Sequence, residues 1–211
     1  VAESAPFRIA VLISGFGSNL QALLDQVHEP GGSIEIVGVA SSRADAAGLE
    51  RAEAAGVDSE VFAIGDHADR AARDRALGDW LEGKRADLLV LAGFMELLTP
   101  EFIGRFAGRM VNVHPSLLPS FPGLRAIEQA VEHGAKVTGV TVHFVDEGVD
   151  SGAIVLQEAL PLSYPAQIAE IEERVHGVEH RLLPRAVRLI AAGRVHPDPA
   201  NPRAVLVDDA D

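Results

Sequence analysis

The chain has 211 residues, 47% of them hydrophobic, enough to bury the core of one globular domain. Eighteen Lys and Arg stand against thirty-one Asp and Glu, a net charge of −13 that repels phosphate backbones and argues against nucleic acid as the main partner, so any anionic ligand must be bound locally. With no cysteine, a disulfide scaffold and thiol catalysis are excluded; no apolar run reaches transmembrane length, and VAESAPF lacks the basic start and apolar middle of a signal peptide, which together lead us to expect a cytoplasmic chain without a membrane partner.

Residues 8–14, RIAVLIS, form a β-branched apolar run followed by Gly15, Gly17 and a segment with Leu20, Leu23, Leu24 and Val27 at helical spacing. That is strand, glycine turn, helix. The pattern continues with a strand over 34–40, a helix over 44–55, a short strand over 59–63, a helix over 67–82 and a buried-type strand over 87–92. Strands alternating with helices predict an α/β fold: an open, mostly parallel twisted sheet wound by right-handed crossovers, Rossmann-like in its N-terminal half.

A further strand, MVNVH (110–114), ends at Pro115, which cannot donate to a ladder. Beyond it the pattern changes. A loop rich in Pro and Gly leads to a short helix over 126–133, then to strands over 137–145 and 153–160 joined by a link short enough for an antiparallel pair. A long helix over 166–192 follows, and the residues after it, HPDPANPRAVLVDDAD, read as a frayed tail.

Three groups of residues carry chemistry. In Ser14-Gly15-Phe16-Gly17-Ser18-Asn19, glycines allow a tight turn, and the free N–H groups of the helix start can hold a phosphate at the positive end of the dipole. A dinucleotide site would want a third glycine where Leu20 stands, and an acid where the second strand ends in Ser41-Ser42-Arg43, so a monophosphate ligand is expected rather than NAD. A merely tight turn is the plainer reading.

Asn112 and His114, two apart in a strand, point to one face. They are either an ordinary hydrogen-bonded strand end or part of a site completed by Asp150 in the loop between the last two strands. Asn, His and Asp together suit acyl transfer between amines: Asn112 donates to an oxyanion, an imidazolium at His114 helps it, and the Asp150 carboxylate carries protons and raises the histidine pKa. Ser116 lacks the GxSxG setting of a nucleophilic serine. A third group, His176-Gly-Val-Glu179-His180, matches the H-x-x-E-H zinc pattern, but Gly177 weakens the helix there, and a polar cleft wall is the preferred reading over a metal. His143 alternates with Thr141 and Val145 on one sheet face and reads as a histidine that backs the site residues or is hydrogen-bonded in the core, rather than as a catalyst.

SGFGSNLQ (14–21), LAGFM (91–95), VNVHPSLLPSFPG (111–123) and TGVTVHFVDEGVDSG (138–152), in this order, resemble the glycinamide ribonucleotide formyltransferases of the folate-dependent formyltransferase family. The resemblance implies formyl transfer from 10-formyltetrahydrofolate to the amine of glycinamide ribonucleotide in purine synthesis, with catalytic roles for Asn112, His114 and Asp150 and no metal. It implies that Gly17, Ser18 and Asn19 hold the ribonucleotide phosphate, with help from His176 and Glu179. The folate would meet Arg70, then Met95, Glu96, Leu97 and Leu98, then Asn112 and the loop of Asp146, Glu147, Gly148, Val149 and Asp150. It also implies a cis Leu118–Pro119 bond.

Two positions depart from the family pattern: Glu96 stands where a basic residue is common, and His176 where Gln is common. The expected organisation is one formyltransferase domain over 1–193, with a phosphate-binding half over 8–107 and a catalytic half over 108–193, and a tail over 194–211. The partners implied are small molecules, with the chain acting as a monomer or homodimer. Hydrolysis of the same formyl-folate is the alternative. A methionyl-tRNA formyltransferase would add a basic C-terminal domain, and the hydrolase an N-terminal regulatory one.

Overall fold

A computed structural model describes residues 5–208, the side chain of Pro202 excepted. The chain divides into two compact units, Val1–Val111 and Asn112–Asp211.

In the first unit, β1 (Phe7–Ile13) is flanked by β2 (Ile34–Ser41) and β4 (Leu88–Leu91), and β3 (Ser59–Val61) lies outside β2, all parallel. The order β3-β2-β1-β4 is that of a mononucleotide-binding half. Ile9 to Ile13 are fully buried, as a central strand covered on both faces requires. The crossovers carry α1 (Ser18–Gln26), α2 (Gly48–Ala54) and α3 (Arg70–Gly83), and α4 (Pro100–Arg105) follows β4. Leu20 and Leu23 of α1 and Leu77 and Leu81 of α3 complete the buried core.

The division falls inside β5 (Met110–His114). The second unit continues in the order β5-β6-β7-β9-β8. Here β6 (Val137–Phe144) and β7 (Ile154–Pro161) pair antiparallel, as their short link predicts. The helix α5 (Ala126–Glu132) precedes them, and α6 (Ile168–Ala191) packs along both, burying Ile171, Val175, Val178, Leu182, Ala186 and Leu189 at helical spacing.

Three expectations are corrected. The helix expected from residue 67 starts at Arg70, because Asp69 is extended and its carboxylate accepts the Ala72 N–H at 2.7 Å, the pattern of an N-cap. The helix expected over 44–55 is shortened to Gly48–Ala54. The residues read as a frayed tail form a hairpin, β8 (Val195–Asp198) against β9 (Asn201–Val207), with β9 parallel to β7. Pro197 sits in β8, the outermost strand, where its missing N–H interrupts no ladder on the outer side. Residues 209–211 of that tail lie outside the described residues. No helix among the described residues is long and apolar enough to cross a membrane.

Candidate active site

In the second unit, Asp150 is the meeting point. Its Oδ2 accepts the Gly123 N–H at 2.7 Å and lies 3.3 Å from His114 Nδ1. Its Oδ1 accepts from Asn112 Nδ2 at 3.4 Å and lies 3.5 Å from His143 Nε2. Asn112 Nδ2 is also 3.2 Å from His143 Nε2, and His143 Nδ1 is 2.8 Å from the Phe144 carbonyl. A carbonyl only accepts, so Nδ1 carries the proton in that contact. Likewise His114 Nε2 donates to the Phe121 carbonyl at 2.9 Å. The other ring nitrogen, Nδ1, is turned to the Asp150 carboxylate.

The loops are bent to make these contacts. Asp150 has φ 51° and Phe121 φ 53°, left-handed conformations that cost a non-glycine residue about 1–3 kcal/mol. The segment carrying Phe121 and Gly123 is braced from behind. Thr141 Oγ1 donates to the Ser116 carbonyl at 2.7 Å and accepts from Leu118 N–H at 3.1 Å, while Gln157 Nε2 donates to the Leu118 carbonyl at 2.8 Å and to Thr141 Oγ1 at 2.9 Å. Leu118–Pro119 is cis, as the resemblance implies.

Burial alone pushes the Asp150 carboxyl up. The His143 contact, the Gly123 N–H and the charges of His114 and His143 outweigh it, leaving Asp150 below its ordinary value of 3.8. It is thus an anion at neutral pH. An amide donor and an imidazole beside an anionic carboxylate can stabilise a developing oxyanion through the first two groups and move protons through the carboxylate.

His143, read from sequence as a core histidine or one that backs the site, is buried and touches both Asn112 and Asp150. The Phe121 carbonyl and Gly123 N–H were not anticipated, since backbone groups have no residue signature. Of the other expected residues in this unit, Asp146 takes the Gly148 N–H at 3.1 Å and Ser151 Oγ at 2.7 Å, shaping the loop of exposed Glu147, Gly148 and Val149. On α6, Glu179 is buried and His176 exposed. The His176 and His180 rings lie nearly parallel, 6.2 Å apart, and burial, then the His176 charge, lowers the His180 pKa. Among the described residues no group of three or more His, Asp or Glu is placed to hold a metal ion.

In the first unit, Gly17 takes φ 77° as N-cap of α1 with no side-chain cap, at the positive end of the dipole of the helix that Ser18 and Asn19 open. Its Cα side is pressed against α2, where a Cβ would come within 2.6 Å of Gly48 Cα. Arg51, which sequence reasoning missed, braces the turn: Nε donates to the Phe16 carbonyl at 3.0 Å and Nη1 to Gln21 Oε1 at 2.9 Å, with the guanidinium 4.6 Å from the Phe16 ring. Met95 N–H donates to Ser14 Oγ at 2.8 Å, tying the Met95–Leu98 segment to the strand that enters the turn. Arg70 is exposed at the first position of α3. A cation there is set against the positive helix end, a placement that an external anion would relieve.

The description "Formyl transferase" fits residues 7–187, most of the chain. The chain belongs to the formyl transferase family. Phosphoribosylglycinamide formyltransferase of Haemophilus influenzae is 44% identical over 188 residues, which make up 89% of each protein. The trifunctional purine biosynthetic protein adenosine-3 of Homo sapiens is 48% identical over 92% of this chain, but the chain spans only 19% of that protein's length. Among solved structures, glycinamide ribonucleotide transformylase 1 of Symbiobacterium toebii superposes with a TM-score of 0.91 at 46% identity, covering 97% of this formyl transferase and 95% of that chain. A formyltetrahydrofolate deformylase of Pseudomonas syringae reaches 0.88 at 25% identity, with 67% of its chain covered.

Proposed function

We propose that this formyl transferase moves the formyl group of 10-formyltetrahydrofolate to the primary amine of glycinamide ribonucleotide, a step of purine synthesis. The observation that carries the proposal is the convergence of Asn112, His114 and His143 on the Asp150 carboxylate. The end-to-end likeness to proteins of that name supports it.

The amine nitrogen attacks the formyl carbon, and the carbonyl oxygen becomes an oxyanion held by donors from Asn112 and His114, each such donor being worth about 2.7–4 kcal/mol in the transition state. The new C–N bond forms, the attacking nitrogen loses a proton, Asp150 passes it directly or through water toward the folate nitrogen, and the old C–N bond breaks. Tetrahydrofolate and the formylated ribonucleotide leave. No covalent intermediate and no metal enter this scheme.

In this proposal Gly17, Ser18 and Asn19 hold the ribonucleotide phosphate, and His176 and Glu179 contact the same substrate. The folate is assigned to Arg70, to Met95, Glu96, Leu97 and Leu98, and to Asn112 and the Asp146–Asp150 loop. The substrates are small molecules of the cytoplasm, where we propose the enzyme works as a monomer or homodimer.

Likeness to a deformylase makes hydrolysis the second reading. Incubation with 10-formyltetrahydrofolate, with and without glycinamide ribonucleotide, separates them: formylated ribonucleotide forming only when both are present is expected, and rapid formate release without the ribonucleotide would overturn the transfer reading.

A further inference from the structure

Arg73 is 0% exposed, an unusual place for a guanidinium, and Asp74 beside it is 2% exposed. Arg73 Nε donates to Asp74 Oδ1 at 2.6 Å, and Nη2 reaches across to the Leu97 carbonyl at 3.1 Å. The second carboxylate oxygen, Oδ2, accepts the Thr99 N–H at 2.7 Å. The Phe94 ring centre lies 5.8 Å from the guanidinium. One buried pair therefore grips the same loop at two backbone positions.

That loop needs an outside anchor. Residues between β4 and α4 form no regular structure, and Met95 and Leu97 are 66% and 60% exposed, so burial of their own side chains does not fix them. Its backbone is instead tied at alternate positions: Met95 N–H by Ser14, the Leu97 carbonyl by Arg73 and the Thr99 N–H by Asp74. A buried ion pair is a poor means of stability alone, because desolvation offsets most of its attraction. Arg73 even leaves Nη1 without a partner, so its placement favours the loop contact over full pairing.

We propose that Arg73, with Asp74, is a positioning residue for folate recognition: it holds the Met95–Leu98 segment in the conformation that receives the folate while touching no substrate itself. The inference rests on the assignment of that segment to the folate.

Arg73→Lys keeps a cation for Asp74 but has one nitrogen, which cannot serve Asp74 Oδ1 and the Leu97 carbonyl with the guanidinium's fork. Arg73→Met removes both contacts. Arg73→Lys is expected to raise the KM for 10-formyltetrahydrofolate by about tenfold, with kcat and the KM for the ribonucleotide within about twofold of wild type, and Arg73→Met to raise it further. Amide exchange at Leu97 to Thr99 should quicken in both. A merely structural role would lower the melting temperature without singling out one substrate.

In the wild-type enzyme, tetrahydrofolate should slow exchange across Met95 to Thr99. No slowing would sink the folate assignment and this proposal with it. Slowing in wild type together with an unchanged folate KM in Arg73→Lys overturns the proposal alone, whether or not Arg73→Met folds.

Discussion

His114 Nδ1 stands 3.3 Å from Asp150 Oδ2 while His114 Nε2 donates to the Phe121 carbonyl, so the ring is held from both ends. The same carboxylate oxygen takes the Gly123 N–H, which makes the histidine's orientation depend on two loops as well as on its own strand. Removing the imidazole or neutralising the carboxylate should therefore act on chemistry more than on folding. His114→Ala and Asp150→Asn are each expected to cut turnover by roughly 10²–10⁴ with near-native circular dichroism. Steady-state assay of formyl transfer checks this, and near-wild-type turnover in either variant removes the residue from the mechanism.

The phosphate turn offers a paired test. Gly17 has φ 77°, and an added Cβ would meet Gly48 Cα at 2.6 Å, backbone that cannot swing aside, whereas Gly15 has nothing within 4 Å. Gly17→Ala should lose about 1–3 kcal/mol of stability and raise the KM for the ribonucleotide. Gly15→Ala should stay within about 0.5 kcal/mol of wild type. Urea unfolding of both variants measures the contrast, and equal losses would mean that the turn and α2 are not locked as described.

What could be read in advance follows from whether a feature is local. The β1–Gly17–α1 unit was legible because a buried strand, a left-handed glycine and a helical stripe of leucines are neighbours in sequence. The start α4 was there to be found in Thr99-Pro100, where Thr99 Oγ1 accepts the Phe102 N–H at 3.3 Å and Pro sits in the first turn, yet six residues gave too little periodicity to notice. The β8–β9 hairpin was hidden because Pro197 argues against a strand unless that strand is known to be an edge. Asn112, His114 and Asp150 could be grouped by chemistry, but His143 joins them only through the pairing of β6 with its neighbours. The grip of Arg73 on Leu97, 24 residues away, has no local sign at all.

Thr141 tests whether the loop bearing Phe121 and Gly123 is positioned from behind. Its hydroxyl has three partners, the Ser116 carbonyl, the Leu118 N–H and Gln157 Nε2, all lost in the isosteric Thr141→Val. Leaving such buried groups unmet costs about 1–3 kcal/mol, and the loop's two site contacts should loosen with it. Thr141→Val is thus expected to lower both stability and kcat. Val140→Ala, at a fully buried neighbour without a hydrogen-bonding side chain, should lower stability only. If both variants keep wild-type kcat well below their melting temperatures, the brace does not serve catalysis.

Asp150 also gives stability a pH dependence of definite sign. Burial raises its pKa, but the His143 contact, the Gly123 N–H and the two imidazole charges bring the folded value below the ordinary 3.8. Between those two values the unfolded chain holds the proton and the folded chain does not, so the unfolded state binds more protons and stability climbs with pH. The contribution is complete above the ordinary value and is lost as pH falls through the folded one. Asp150→Asn lacks this dependence, so the stability gap between wild type and variant should narrow as the pH falls from about 5 to about 3. Parallel urea unfolding of the two proteins from pH 5 to pH 3 measures the gap. A gap that widens as the pH falls would mean that the folded carboxyl titrates above 3.8, and that burial outweighs its three stabilising neighbours.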